Sequence, residues 1–212
     1  MQASEGSSLI EDSAEGALWT RDMIYRVDAA NHERLVRVVV AIDPAVSASK
    51  TSSETGIVVV ARTNRGRGLV LADISGKYTP QGWGQAAVTA YKGWRADAII
   101  GEVNNGGDLV ESNIRAIDPY ANFRKVHASR GKEKRAEPIV SLYERQLIDH
   151  VGVHEDLENQ MCLWEPNDPH AMPSDRMDAL VWGLTDLFIE EIRIPVVTPI
   201  VSGKKKSVWA SI

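Results

Sequence analysis

The runs LVRVVVAID, TGIVVVARTN and AIIGE are apolar at consecutive positions, not alternate ones, so any strand built from them must be covered on both faces. A sheet that is buried on both sides needs helices above and below it. The chain supplies candidates between the runs. Thr79 and Pro80 read as the N-cap and first residue of a helix through TPQGWGQAAVTAYKGWRAD. Further helices are expected from about Asp108 to Ile117, over residues 132–149, from Asp156, and from about Ser174 to Glu190. LVRVVVAID, TGIVVVARTN and RGLVLADIS follow one another with RGRG as a tight turn, which suggests a meander, and FRKVHAS adds a later strand. The fold class is α/β: a central mixed sheet of five or more strands flanked by helices.

Where the apolar runs stop is as informative as the runs themselves. Asp43 closes the first and Glu102 closes AIIGE, while Asp175 and Asp178 open the last helix in PSDRMDALVWGL. A carboxylate beside buried apolar segments is costly unless neutralised, and hard divalent cations held by oxygen ligands do this. Converging acids of this kind suit metal-assisted phosphodiester cleavage, with two divalent cations, Mg²⁺ or Mn²⁺, stabilising the attacking and leaving oxygens. Asp43 is the natural bridging ligand, with Glu102 and Asp178 on either side and Asp175 as a fourth metal candidate. Each acid also has a plainer reading: Asp43 starting a turn before Pro44, Glu102 pairing with a core arginine, Asp178 complementing its helix N-terminus.

The remaining composition narrows the class. A formal net charge of -5 over 212 residues argues against a surface coated with nucleic-acid-binding charge, though not against a local basic face. The single Cys162 offers neither a disulfide pair nor a thiolate zinc cluster and suits a reducing interior. No run approaches the roughly 18 apolar residues of a membrane span, and MQASEGSSLIEDSAEG lacks a signal-peptide pattern. The chain is therefore expected to be soluble and cytoplasmic, without a membrane partner. Residues 1–34 read as a linker or docking arm outside the core, residues 35–192 as the folded domain, and residues 193–212, with their Pro residues and the triplet Lys204, Lys205 and Lys206, as an extended tail.

The ordered set DPA with a Ser/Thr-rich loop and TGI, then GEVNNGG, SRGKEKRAEPIVSLYERQLIDH, LENQM and DRMDALVWG resembles the C-terminal nuclease domain of bacteriophage large terminase subunits, over roughly Leu18 to Ile189. The resemblance implies an RNase H-like fold and a metal-dependent endonuclease that cuts concatemeric double-stranded viral DNA during genome packaging. It puts the family's catalytic acids on Asp43, Glu102 and Asp178, with Asp175 auxiliary. It also implies an N-terminal packaging ATPase domain, a small terminase subunit and a portal as partners, in the host cell cytoplasm and not in the virion. The chain contains no GxxxxGK[ST] phosphate loop, so the motor domain is expected to lie outside it, with residues 1–34 as the connecting arm.

Substrate grip is expected from FRKVHASRGKEKR, where Arg130, Lys132, Lys134 and Arg135 crowd a loop and the first turn of a helix, and from Asn104 in the glycine-rich turn after Glu102. Two other functions fit the same residues. One is a junction resolvase or transposase-like nuclease; the other is a catalytically idle DNA clamp or docking module of the packaging machine.

Overall fold

A computed structural model describes residues 13–29, 33–44, 54–103, 107–166, 168 and 171–189. The apolar runs form the middle of one seven-stranded mixed sheet. In chain order its strands are β1 (Tyr25–Val27), β2 (Leu35–Asp43), β3 (Gly56–Thr63), β4 (Gly68–Asp73), β5 (Ala98–Glu102), β6 (Phe123–Val126) and β7 (Ile148–Val151), arranged β1-β7-β4-β3-β2-β5-β6. The expected meander is present: β2, β3 and β4 pair antiparallel in succession. On either side the sheet continues in parallel, β5 and β6 beyond β2, β7 and β1 beyond β4.

Helices cover both faces, which is why the strands can be apolar throughout. One core packs Val38, Val40 and Ile42 of β2 against Trp83, Ala87 and Val88 of α1 (Pro80–Gly93) and Val110 and Ile114 of α2 (Gly107–Ile117). The other packs Val39 and Ala41 against α3 (Lys132–Glu144), α4 (Glu155–Leu163) and α5 (Asp175–Phe188). The start of α1 matches expectation, with the Thr79 hydroxyl accepting from the Gly82 N–H at 3.1 Å and Pro80 in the first turn. Among the described residues no helix is long and apolar enough to cross a membrane.

Two expectations are corrected. The helix expected over residues 132–149 ends at Glu144, because Gln146 adopts φ 54° and the chain re-enters the sheet as β7. That strand was hidden by its polar middle, Asp149 and His150, both of which are buried. Asp149 receives the Arg67 guanidinium through Nε at 2.9 Å and Nη2 at 2.6 Å. His150 is held neutral by burial; its Nδ1 lies 2.9 Å from Glu158 and its Nε2 2.9 Å from the Tyr143 hydroxyl. Burial works against the Glu158 charge, but bonds from His150 and Arg26 prevail and lower its pKa to about 2, so Nδ1–H donates and Nε2 accepts from Tyr143. Second, the segment read as an arm outside the core contributes to it: Trp19 is fully buried, edge on to Tyr143, and β1 pairs with β7. Of the tryptophans, Trp94 is 40% exposed, whereas Trp83, Trp164 and Trp182 are buried. Residues 193–212 and the Ser/Thr-rich stretch 45–53 lie outside the described residues.

Candidate metal centre

β2 and β5 are parallel neighbours in a register that sets Ile42 beside Gly101, so Asp43 and Glu102 leave the sheet at the same end. Side chains alternate along a strand. Val39 and Ala41, Ala98 and Ile100 belong to the core under α5, so the parity carries Asp43 and Glu102 to that same face. There α5 begins, with Asp175 and Asp178 in its first turn and Trp182 a further turn along the same helix face. Its approach requires Gly56, the partner of Asp43 across β3. A Cβ there would stand 1.9 Å from the Asp175 carbonyl oxygen.

Asp43 feels the charges of the other three acids. Asp43 has its pKa raised well above the ordinary value by burial first, then by the charges of Asp178, Glu102 and Asp175, with Lys132 opposing. Burial likewise raises Asp178 and Asp175, against the charge of Lys132. The buried Asp178 carboxylate takes the Lys132 ammonium at 2.5 Å, the Ser174 hydroxyl at 3.2 Å and the Arg135 guanidinium at 3.5 Å. Glu102 accepts from the Trp182 indole N–H at 2.6 Å and from Arg135 at 3.3 Å, and the Arg135 guanidinium lies 4.6 Å above the Trp182 ring. Lys132 also bonds Ser174 and stands 5.8 Å from the Trp164 ring centre.

A divalent ion suits this donor set. The ligands are all oxygen, they carry excess negative charge, and the buried Asp175 Oδ2 has no hydrogen-bond partner. Among the described residues no three His, Cys, Asp or Glu side chains already form a closed metal-binding group. Lys132 and Arg135 instead supply the positive charge that keeps the acids together.

Asp43, Glu102, Asp175 and Asp178 therefore meet at one end of the sheet. Of the basic residues, Lys132 and Arg135 face those acids, whereas Arg130 and Lys134 are exposed nearby in sequence. Asn104 lies outside the described residues. Arg124 and Lys125 are engaged with Asp186 at 2.5 Å and Glu111 at 2.9 Å. Sequence reading missed Trp182, Ser174 and Arg176 as supports. A helical spacing of three and four residues through 175, 178 and 182 was the available signal for Trp182. Arg176 left none, because its partners are remote: Asp73 at 2.7 Å, Glu54 at 2.9 Å and Asp156 at 3.5 Å. Removing its charge leaves the Asp73 carboxylate, only 5% exposed, without its cation. Arg176→Met is expected to destabilise the protein by about 3 kcal/mol, read from the urea midpoint.

A mixed sheet between two helical layers, with acids from two parallel strands and a closing helix at one end, defines an RNase H-like domain. The chain belongs to the terminase RNaseH-like domain family, whose model matches residues 40–187. Solved structures agree on the fold. The nuclease domain of the P22 large terminase superposes with a TM-score of 0.61 at 14% identity, covering 81% of this chain and 92% of that one. The large terminase nuclease of thermophilic phage G20c with bound cobalt gives 0.59 at 11% identity, covering 81% and 98%. The large terminase of a second thermophilic bacteriophage gives 0.60 at 11% identity, covering 81% of this chain and 45% of that one. No curated protein sequence matches the chain.

Proposed function

We propose that this chain is a metal-dependent endonuclease that hydrolyses phosphodiester bonds of double-stranded viral DNA concatemers during genome packaging. The observation that carries the reading is the meeting of Asp43, Glu102, Asp175 and Asp178 beneath one helix start, with the Asp43 carboxyl pushed up by burial and by its acidic neighbours. Family membership and the large-terminase folds support it. The G20c nuclease has been seen with magnesium and with cobalt, which supports a divalent ion here. We assign Mg²⁺ or Mn²⁺, two ions, which Asp43, Glu102 and Asp178 would hold, with Asp175 as a fourth candidate ligand.

Bound there, the ions would supply Lewis acidity and an activated water. The protein's part is positioning. Trp182 and Arg135 fix the Glu102 carboxylate; Ser174 and Lys132 fix that of Asp178. Arg130 and Lys134, exposed around the α3 start, would take DNA phosphates, a contact insensitive to base sequence and steeply salt dependent. Asn104 belongs to the same proposed surface. Lys132 and Arg135 would act closer in, between the acids and the phosphate. On this reading the segment before Trp19 leads from a packaging ATPase domain, Trp19 and β1 already belong to the nuclease that runs to residue 192, and residues 193–212 form a tail. The small terminase subunit and portal would be partners, in the host cytoplasm.

The test is relaxation of supercoiled plasmid across a Mn²⁺ titration with a chelator control. Cutting is expected to require the ion and to disappear in Glu102→Gln and Asp178→Asn, each still folded by circular dichroism. Wild-type rates in both variants would falsify the assignment of catalysis to these acids.

A further inference from the structure

The first N–H groups of any helix lack intrahelical partners, and a side chain at the N-cap usually satisfies one of them. α5 departs from this. Ser174 occupies its N-cap but makes no cap bond: its hydroxyl oxygen accepts from Lys132 while its proton goes to Asp178 Oδ2. Asp175 does not cap either, and its Oδ2 is unpartnered. The missing acceptor comes from another helix: Gln160 of α4 extends Oε1 to the backbone N–H of Arg176 at 2.9 Å and of Met177 at 3.4 Å. Every polar side chain in the opening turn that could serve as a cap is thereby released toward the acids.

α4 is well anchored for this role. Glu158, two residues before Gln160, bonds His150 of β7 and Arg26 of β1, and Asn159 bonds Arg21. Leu157 and Met161 are fully buried in the same core as α5. LENQM, which reads from sequence only as part of a family pattern, thus has a physical use at each polar position.

We propose that Gln160 is a positioning residue: by capping α5 from outside, it leaves Ser174, Asp175 and Asp178 free and sets the angle at which the two acids face a divalent ion. The inference rests on the reading that these acids hold that ion. Residues that orient metal ligands in this indirect way typically change affinity by about 10–100-fold when replaced.

The experiment is calorimetric titration of the full chain with Mn²⁺. Gln160→Met, which keeps the volume and loses the acceptor, is expected to bind roughly tenfold more weakly with its helix content retained. Gln160→Asn, which withdraws the amide by one methylene, should weaken binding likewise, and serves if the Met variant folds poorly. Gln160→Glu keeps an acceptor oxygen in reach and should restore affinity close to wild type. Asp178→Asn, as reference, should lose binding. Undiminished binding in Gln160→Met and Gln160→Asn while Asp178→Asn loses it overturns the positioning role and leaves the metal site standing. Equal weakening in the Glu variant also overturns it, since packing would then explain the effect. Unchanged binding in Asp178→Asn sinks the site reading itself.

Discussion

Asp43→Asn is expected to reduce metal-dependent plasmid nicking by about 10³-fold or more while raising the melting temperature of the metal-free protein. The first effect follows from the proposed assignment: Asp43 would hold the divalent ions together with Glu102 and Asp178, and losing several kcal/mol of transition-state charge stabilisation costs orders of magnitude in rate. The second follows from its surroundings. Burial and the charges of Asp178, Glu102 and Asp175 all disfavour an ionised Asp43, so the neutral amide relieves a repulsion that the carboxylate suffers. A residue retained at a cost to stability is expected where function requires it.

The same shift sets a pH dependence. A carboxyl raised above its ordinary value of 3.8 leaves the folded state holding more protons than the unfolded chain between the two values. Stability in chelator should therefore fall as pH rises from about 4 through the raised pKa of the folded protein, then level off. Asp175 and Asp178 are shifted in the same direction and add to the slope. Melting curves against pH, in chelator and in Mn²⁺, check this: Asp43→Asn should flatten the decline, and saturating Mn²⁺ should cancel it. A wild-type protein that gains stability over that range without metal would contradict the electrostatics.

Gly56→Ala should be as damaging to activity, but with the opposite sign in stability. The added Cβ would lie 1.9 Å from the Asp175 carbonyl oxygen and 2.5 Å from its carbon, both backbone atoms, so no side chain can swing aside. Nor can the helix retreat freely. A Cβ on Gly183 would come within 2.7 Å of Val60, which measures how closely α5 lies on β3 further along. The substitution must lift the opening turn of α5 away from β3, at a cost of about 3 kcal/mol or more, and carry Asp175 and Asp178 out of register with Asp43. Urea unfolding and the nicking assay together distinguish it from Asp43→Asn: both lose cutting, but only Gly56→Ala loses stability.

Much of this architecture was legible in the chain. Continuous apolar runs imply two-sided burial, and RGRG with the runs around it implies the meander, because those signals are local. The acids were legible too, since Asp43 and Glu102 end apolar runs and Asp175 and Asp178 open a helix. β7 was not legible. Its Asp149 and His150 are tolerable in a buried strand only because Arg67, Tyr143 and Glu158 meet them from other elements of the fold. Trp19 was likewise read with an arm because nothing nearby in sequence announces Tyr143 as its neighbour.

The sequence by itself determined that acids would stand at the ends of buried strands and at a helix start, since strand ends and helix caps are short-range properties. Only the tertiary structure decided that they share one face, that Lys132 and Arg135 turn inward upon them, and that Gln160 caps the helix bearing two of them. Which face a doubly buried strand presents depends on register against its neighbours, and no pattern within the strand encodes that.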